Sequence, residues 1–85
     1  MNVTIRLGEP FWRTTGQRAV AVDVSDGAHV ADALEALVRQ YPALRGALWD
    51  REALPFVFVG DAEAGPATVL APGSEVHVVW PASGG

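Results

Sequence analysis

From residue 2 to residue 7 apolar and polar side chains alternate, with Val3, Ile5 and Leu7 set against Asn2, Thr4 and Arg6. A period of two places each set on its own face, which predicts a half-buried strand. Val20, Val22 and Val24 repeat the pattern over residues 19–24. Between the two runs, residues 8–17 hold Gly8, Pro10, Thr14, Thr15 and Gly16 and read as a loop, so an antiparallel hairpin is expected. The period then changes. Val30, Leu34, Leu37, Val38 and Tyr41 form one stripe, with Asp32, Glu35, Arg39 and Gln40 outside it, predicting an amphipathic helix over residues 30–41 that Pro42 stops. Its start is weakly marked. His29 sits where Ser, Thr or Asp would cap better, and Ser25 and Asp26 are the other candidates.

The second half is more broken. Residues 44–49 read as a turn or a single helical turn, and Phe56-Val57-Phe58-Val59 as a strand of the fully buried kind, ended by Gly60-Asp61. Residues 62–67 read as a loop and residues 68–70 as a brief strand. Ala71-Pro72-Gly73-Ser74 has Pro and Gly where a type II turn wants them. Residues 76–80 form the last strand, with Val76, Val78 and Trp80 expected to face the helix and His77 and Val79 the opposite side. The order ββαββ implies an α+β domain: one mixed sheet of four to five strands on one main helix. Val3, Ile5, Leu34, Leu37, Val38, Phe58, Val76 and Val78 are the expected core.

Composition narrows the functional classes. Eighty-five residues make one small domain, and 49% hydrophobic with 19% charged residues fit a globular chain, not a disordered one. No apolar run approaches the roughly 20 residues of a membrane helix. No signal-peptide pattern opens the chain, so a cytoplasmic location is expected. There is no cysteine, hence no disulfide, thiolate metal site or protein persulfide. There is no lysine either: all six basic residues are arginine, so isopeptide chains cannot be built on its own side chains. A net charge of −4 disfavours nucleic acid, which requires a basic stripe.

Few residues suggest chemistry of their own. His29 and His77 are the only histidines, far apart in sequence, and no metal site is expected from them. Asp23 with Asp26, and Asp61 with Glu63, read as solvated turn residues. Arg6, Arg13 and Arg18 fall short of a nucleic-acid surface. Trp12 and Trp49 read as packing residues, with Trp12 alternatively an exposed contact. The end of the sequence is more informative. After the strand comes a short tail, residues 81–85, closing on Gly84-Gly85. Two positions without Cβ make a thin carboxylate lead, open to attack at the carbonyl and able to enter another protein's active site. The domain therefore divides into a folded body, residues 1–80, and a flexible tail, residues 81–85.

The run Leu70-x-Pro-Gly-Ser-Glu-Val-His-Val-Val-Trp80, followed by Gly84-Gly85, resembles the ubiquitin-like sulfur carriers of the ThiS/MoaD family. Tyr41-Pro42 and Val57-Phe58-Val59-Gly60 also fall in family positions, so the resemblance covers nearly the whole chain. The long segment between the first two strands is similar to that of the longer members, which serve molybdopterin or cysteine synthesis. The resemblance implies a β-grasp fold and a protein cosubstrate, not an enzyme. It also implies a reacting group at Gly85, with Gly84 beside it. A ubiquitin-activating-type adenylating enzyme would consume ATP to join the Gly85 carboxylate to AMP, and sulfur would displace AMP to leave a thiocarboxylate. A sulfur-accepting biosynthetic enzyme would be the second partner, and no bound cofactor is expected. Leu7, Val57, His77 and Val79 are the expected partner-binding patch. The alternative function is a ubiquitin-like modifier or a non-catalytic interaction module.

Overall fold

The first two strands pair as the alternation requires. β1 (Asn2–Leu7) and β2 (Ala19–Asp23) are antiparallel, with Val3 opposite Val22 and Ile5 opposite Val20. The computed structural model describes residues 1–9, 11–48 and 56–79. The expected Trp80 end of the last strand, Trp49, and the tail with Gly84 and Gly85 lie outside the described residues.

The segment expected as loop contains a short helix, α1 (Phe11–Thr15). Phe11 is buried at 1% exposure, which anchors a turn whose other residues are mostly polar. The Trp12 N–H donates to the Gly8 carbonyl and the Gly16 N–H to the Trp12 carbonyl, at 3.2 and 2.8 Å. Gly16, at φ 74°, ends the helix in the left-handed region.

The main helix, α2 (Val30–Gln40), follows the predicted stripe, burying Val30, Ala33, Leu34, Leu37 and Val38. Tyr41 is its C-cap, not its last turn, and donates its N–H to the Leu37 carbonyl at 2.9 Å. Pro42 then opens a 3₁₀ turn (Pro42–Leu44) that runs into α3 (Arg45–Leu48). Leu44 and Leu48 are buried there, closing one side of the core.

β3 (Phe56–Val59) and β4 (Ala62–Ala64) form a second hairpin around Gly60-Asp61. Gly60 has φ 60°, the sign a two-residue hairpin turn demands at its first central position. Residues 62–64 were expected as loop. The strand exists because this turn reverses the chain tightly enough for β4 to pair along β3. Residues 68–70, expected as a strand, contribute only a single bridge between Val69 and His29. Their backbone is engaged with the start of α2 instead: Leu70 N–H donates to the Ala28 carbonyl and Val30 N–H to the Thr68 carbonyl. The turn at residues 71–74 forms as predicted, with Gly73 at φ 80° and the Ser74 N–H donating to the Ala71 carbonyl.

β5 (Glu75–Val79) lies in the middle of the five-stranded sheet, whose order is β2-β1-β5-β3-β4. It is parallel to β1 and antiparallel to β3, so the sheet is mixed. One face of the sheet packs on α2. Val3, Ile5, Leu7, Val20, Val22, Val76 and Val78 meet the helix stripe there, each at 6% exposure or less. Burial of such a side chain stabilises the fold by about 1.5–3 kcal/mol.

Three facings differ from expectation. Phe58 is not core: it pairs with His77, and residues directly opposite share a face, so it lies on the sheet surface away from α2. Val57 pairs with core Val78 and packs against the core, so it does not belong to the outer patch. Leu7, the third residue of the Val3-Ile5-Leu7 set, is buried at 5% exposure for the same reason of period two.

Candidate functional site

Two surfaces matter, the outer face of the sheet and the end of it from which the chain runs on to Gly85. The outer face is set by register. Phe56 stands opposite Val79 and Phe58 opposite His77 across β3 and β5, while Arg6 stands beside His77 across β1 and β5. Phe58, Gly60, Asp61, Glu75, His77 and Val79 line a shallow concavity here. Phe56 is 48% exposed, an unusually large apolar side chain to leave on a strand. Of the four expected patch residues, the structure therefore keeps His77 and Val79 together on this face and assigns Leu7 and Val57 to the core side.

Phe56 and Phe58 are the residues that the sequence reading missed. Phe-Val-Phe-Val is apolar at every position, so its own pattern has no phase. Only the pairing with β5, whose alternation is clear, could have assigned them.

A polar ladder borders the aromatic pair. Arg6 Nε donates to Glu75 Oε1 at 3.1 Å, and His77 Nε2 lies 3.4 Å from the same oxygen. Arg6 and Glu75 thus tie β1 to β5 across the surface with His77 beside them on β5, leaving Phe56, Phe58 and Val79 as its apolar part. Gly8 closes the far end of this strand pair: its N–H donates to the Val78 carbonyl at 2.9 Å. A Cβ on Gly8 would lie 3.4 Å from both that oxygen and Val79 Cγ1, so the end of β5 is held close against the start of the α1 segment.

The remaining polar candidates have structural roles. His29 is the N-cap of α2, and its backbone N–H donates to Asp32 Oδ2 at 2.8 Å. That hydrogen bond is the main reason the Asp32 carboxyl titrates below its ordinary value. Asp23 and Asp26 flank the Met1 amine at 3.4 and 3.9 Å. Among the described residues no three His, Asp or Glu side chains converge as a metal site. No helix among them is long and apolar enough to cross a membrane.

One amphipathic helix laid on a mixed sheet whose last strand sits centrally, parallel to the first, defines a ubiquitin-like β-grasp domain. No protein-family model matches the chain, and no curated protein matches it by sequence. Solved structures do. Small archaeal modifier protein 1 from Haloferax volcanii is 31% identical over 100% of both chains, with a TM-score of 0.90. A chain of the BexX/CysO complex from Amycolatopsis orientalis is 20% identical, over 98% of this chain and 99% of that one, with a TM-score of 0.80. A Pyrococcus furiosus protein described as molybdopterin converting factor, subunit 1, is 20% identical, over 95% of this chain and 98% of that one, with a TM-score of 0.81. At that identity the latter two show the fold. The chain belongs to the ubiquitin-like carriers and modifiers of the ThiS/MoaD type.

Proposed function

We propose that this protein is a sulfur carrier whose reacting group is the Gly85 carboxylate. The observation that carries the reading is the course of β5. The strand is locked between β1 and β3, it ends against Gly8, and the sequence continues from it for six residues, the last two of them Gly84-Gly85. Six residues span at most about 20 Å, enough to carry a carboxylate well into a partner's active site while the domain stays outside.

The chemistry needs no catalytic side chain from this protein. On a ubiquitin-activating-type enzyme, a Gly85 carboxylate oxygen attacks the α-phosphorus of ATP and pyrophosphate leaves, giving an acyl-adenylate. Hydrosulfide attacks the acyl carbon and AMP leaves, giving the thiocarboxylate directly. A persulfide attacking instead gives an acyl disulfide, from which a second thiol releases the thiocarboxylate by reduction. Deprotonated at neutral pH, the thiocarboxylate is itself a nucleophile for a sulfur-accepting biosynthetic enzyme. The acceptor in this reading serves molybdopterin, cysteine or specialised-metabolite synthesis; the name of the Pyrococcus neighbour, a molybdopterin converting factor, favours the first. The outer face with Phe56, Phe58, His77 and Val79 is the docking surface in this reading. The protein holds no cofactor of its own, and ATP is consumed by the partner.

The Haloferax neighbour, a modifier by name, favours a second reading in which Gly85 becomes an amide on lysines of other proteins. Intact mass after incubation with ATP, a cognate adenylating enzyme and a sulfur source separates the two. An oxygen-to-sulfur exchange on the free protein marks the carrier; amide adducts with unchanged free protein mark the modifier and overturn the first reading.

A further inference from the structure

The basic residues of this acidic chain are unevenly placed. β1 ends, β2 begins and β5 ends at one end of the sheet, and α1 is fastened there by the hydrogen bond from Trp12 to Gly8. At that end the Arg18 guanidinium lies over the Trp12 ring, 4.4 Å from its centroid, and the Arg13 guanidinium lies 5.3 Å from it. Arg13 also donates to Glu9 Oε1 at 3.0 Å. Arg18 is exposed, and among the described residues no carboxylate pairs with it. The opposite end, where β2 ends, β3 turns into β4 and α2 begins, carries Asp23, Asp26, Asp32 and Asp61. Among the described residues the charge is thus uneven: Arg13 and Arg18, with Glu9 beside Arg13, stand at the end where β5 stops, and four aspartates, with the Met1 amine between two of them, stand at the far end.

From this arrangement we infer that Arg18, held over Trp12 and flanked by Arg13, is a docking contact for an acidic side chain on the enzyme that receives the tail. The inference rests on the carrier reading and adds to it a contact on the folded body. Its physical basis is preorganisation. A guanidinium resting on an indole has already lost much of its rotational freedom, and its N–H edge remains able to grip a carboxylate through two hydrogen bonds. Position supplies the rest. Gly8 abuts Val79 and leads directly into α1, so a protein that encloses residues 80–85 has its rim against Trp12 and Arg18. An acidic rim there is attracted by this end and repelled by the other, which orients the encounter as well as strengthening it.

The test is ATP–pyrophosphate exchange catalysed by the adenylating enzyme of the same organism, with wild type, Arg18→Glu, Arg18→Lys and Arg13→Ala as substrates over a range of salt concentrations. Arg18→Glu is expected to raise KM about tenfold or more, the effect of losing one charged hydrogen bond, with kcat nearly unchanged. Arg18→Lys keeps the charge and loses the planar fork, and its KM should fall between the two. The wild-type KM should rise with salt and the Arg18→Glu KM should hardly move. A wild-type KM for Arg18→Glu at low salt, or a loss confined to kcat, would overturn this inference while normal wild-type exchange leaves the carrier reading standing. Absence of exchange with the wild type itself would overturn both. Arg18 is exposed, so thermal unfolding of each variant should match wild type and exclude misfolding as the cause.

Discussion

Phe58 and His77 stand directly opposite each other on the antiparallel pair β3–β5, on the face turned away from α2. The pairing fixes the phase of both strands, because neighbours one step along must face the helix: Val57 opposite Val78 and Val59 opposite Val76. It also places an aromatic ring beside an imidazole on the face opposite the main helix.

Substituting the two faces should therefore give opposite outcomes. Phe58→Asp should change unfolding free energy by roughly 1 kcal/mol, the span of strand preferences, yet raise KM for the adenylating enzyme severalfold. Val79→Asp should behave the same way. Leu7→Asp puts a carboxylate into the core and should abolish the cooperative unfolding transition, because a buried unpaired charge costs several kcal/mol. Urea denaturation followed by circular dichroism, run beside the exchange assay, checks all three. A Phe58→Asp variant with normal KM would remove the outer face from the site.

Leu37 lies at the centre of the helix stripe with no exposed surface. Leu37→Ala should cost about 2–5 kcal/mol through lost burial and the cavity left behind, a large part of the 5–15 kcal/mol typical of a domain. The midpoint of urea unfolding should fall accordingly with little change in slope. Arg39→Ala, on the solvent side of the same helix, should shift it by no more than about 0.5 kcal/mol.

Deleting Gly85 should leave thermal unfolding unchanged and eliminate the thiocarboxylate, since the carbonyl would retreat by roughly 3.5 Å and a 1 Å misplacement already costs about a hundredfold in rate. Gly84→Val should fail similarly, by putting a branched side chain where bare backbone must pass. Pyrophosphate release and intact mass follow both. Sulfuration of the shortened chain at the wild-type rate would refute the carrier reading.

The Asp32 carboxylate accepts the His29 backbone N–H, and its pKa lies below the ordinary 3.8. A carboxyl depressed in the folded state binds fewer protons than the unfolded chain near that pH, so its contribution is complete above 3.8 and is lost as pH falls through the lower folded value. Asp32→Ala should be less stable than wild type at neutral pH, and the difference should narrow below about pH 4. Thermal midpoints of the two proteins across that range make the check; a gap that stays constant would mean the carboxylate hydrogen bond is not its source.

What could be read in advance followed the strength of each period. Residues 2–7 and 30–41 carry clean periods of two and 3.6, and β1 and α2 follow them closely. α1 was illegible because a single buried residue, Phe11, anchors it among polar neighbours. β4 was illegible because Ala-Glu-Ala has little strand preference and forms only through the reversal at Gly60. For the site, His77 and Val79 were legible from alternation in β5. Phe56 and Phe58 were not, since a run apolar at every position has no inside and outside until a neighbouring strand supplies one. Leu7 was within reach: its place two residues after Ile5 already assigned it to the core.

The central position of β5 has a consequence for how this protein is made. Residues 75–79 come late in synthesis, yet they fill the slot between β1 and β3, and without them only two separate hairpins exist. Pairing β5 with β1 closes a loop of nearly the whole domain, the kind of distant contact that slows folding. A nascent chain cut short before residue 75 has neither a continuous sheet nor a Gly-Gly end. In the carrier reading, the 85 residues unfolded have the end but no body for an activating enzyme to grip. In the same reading, the strand that completes the sheet is thus also the one that leads to the reacting end, and an activating enzyme that reads the body before taking the tail would admit only finished molecules.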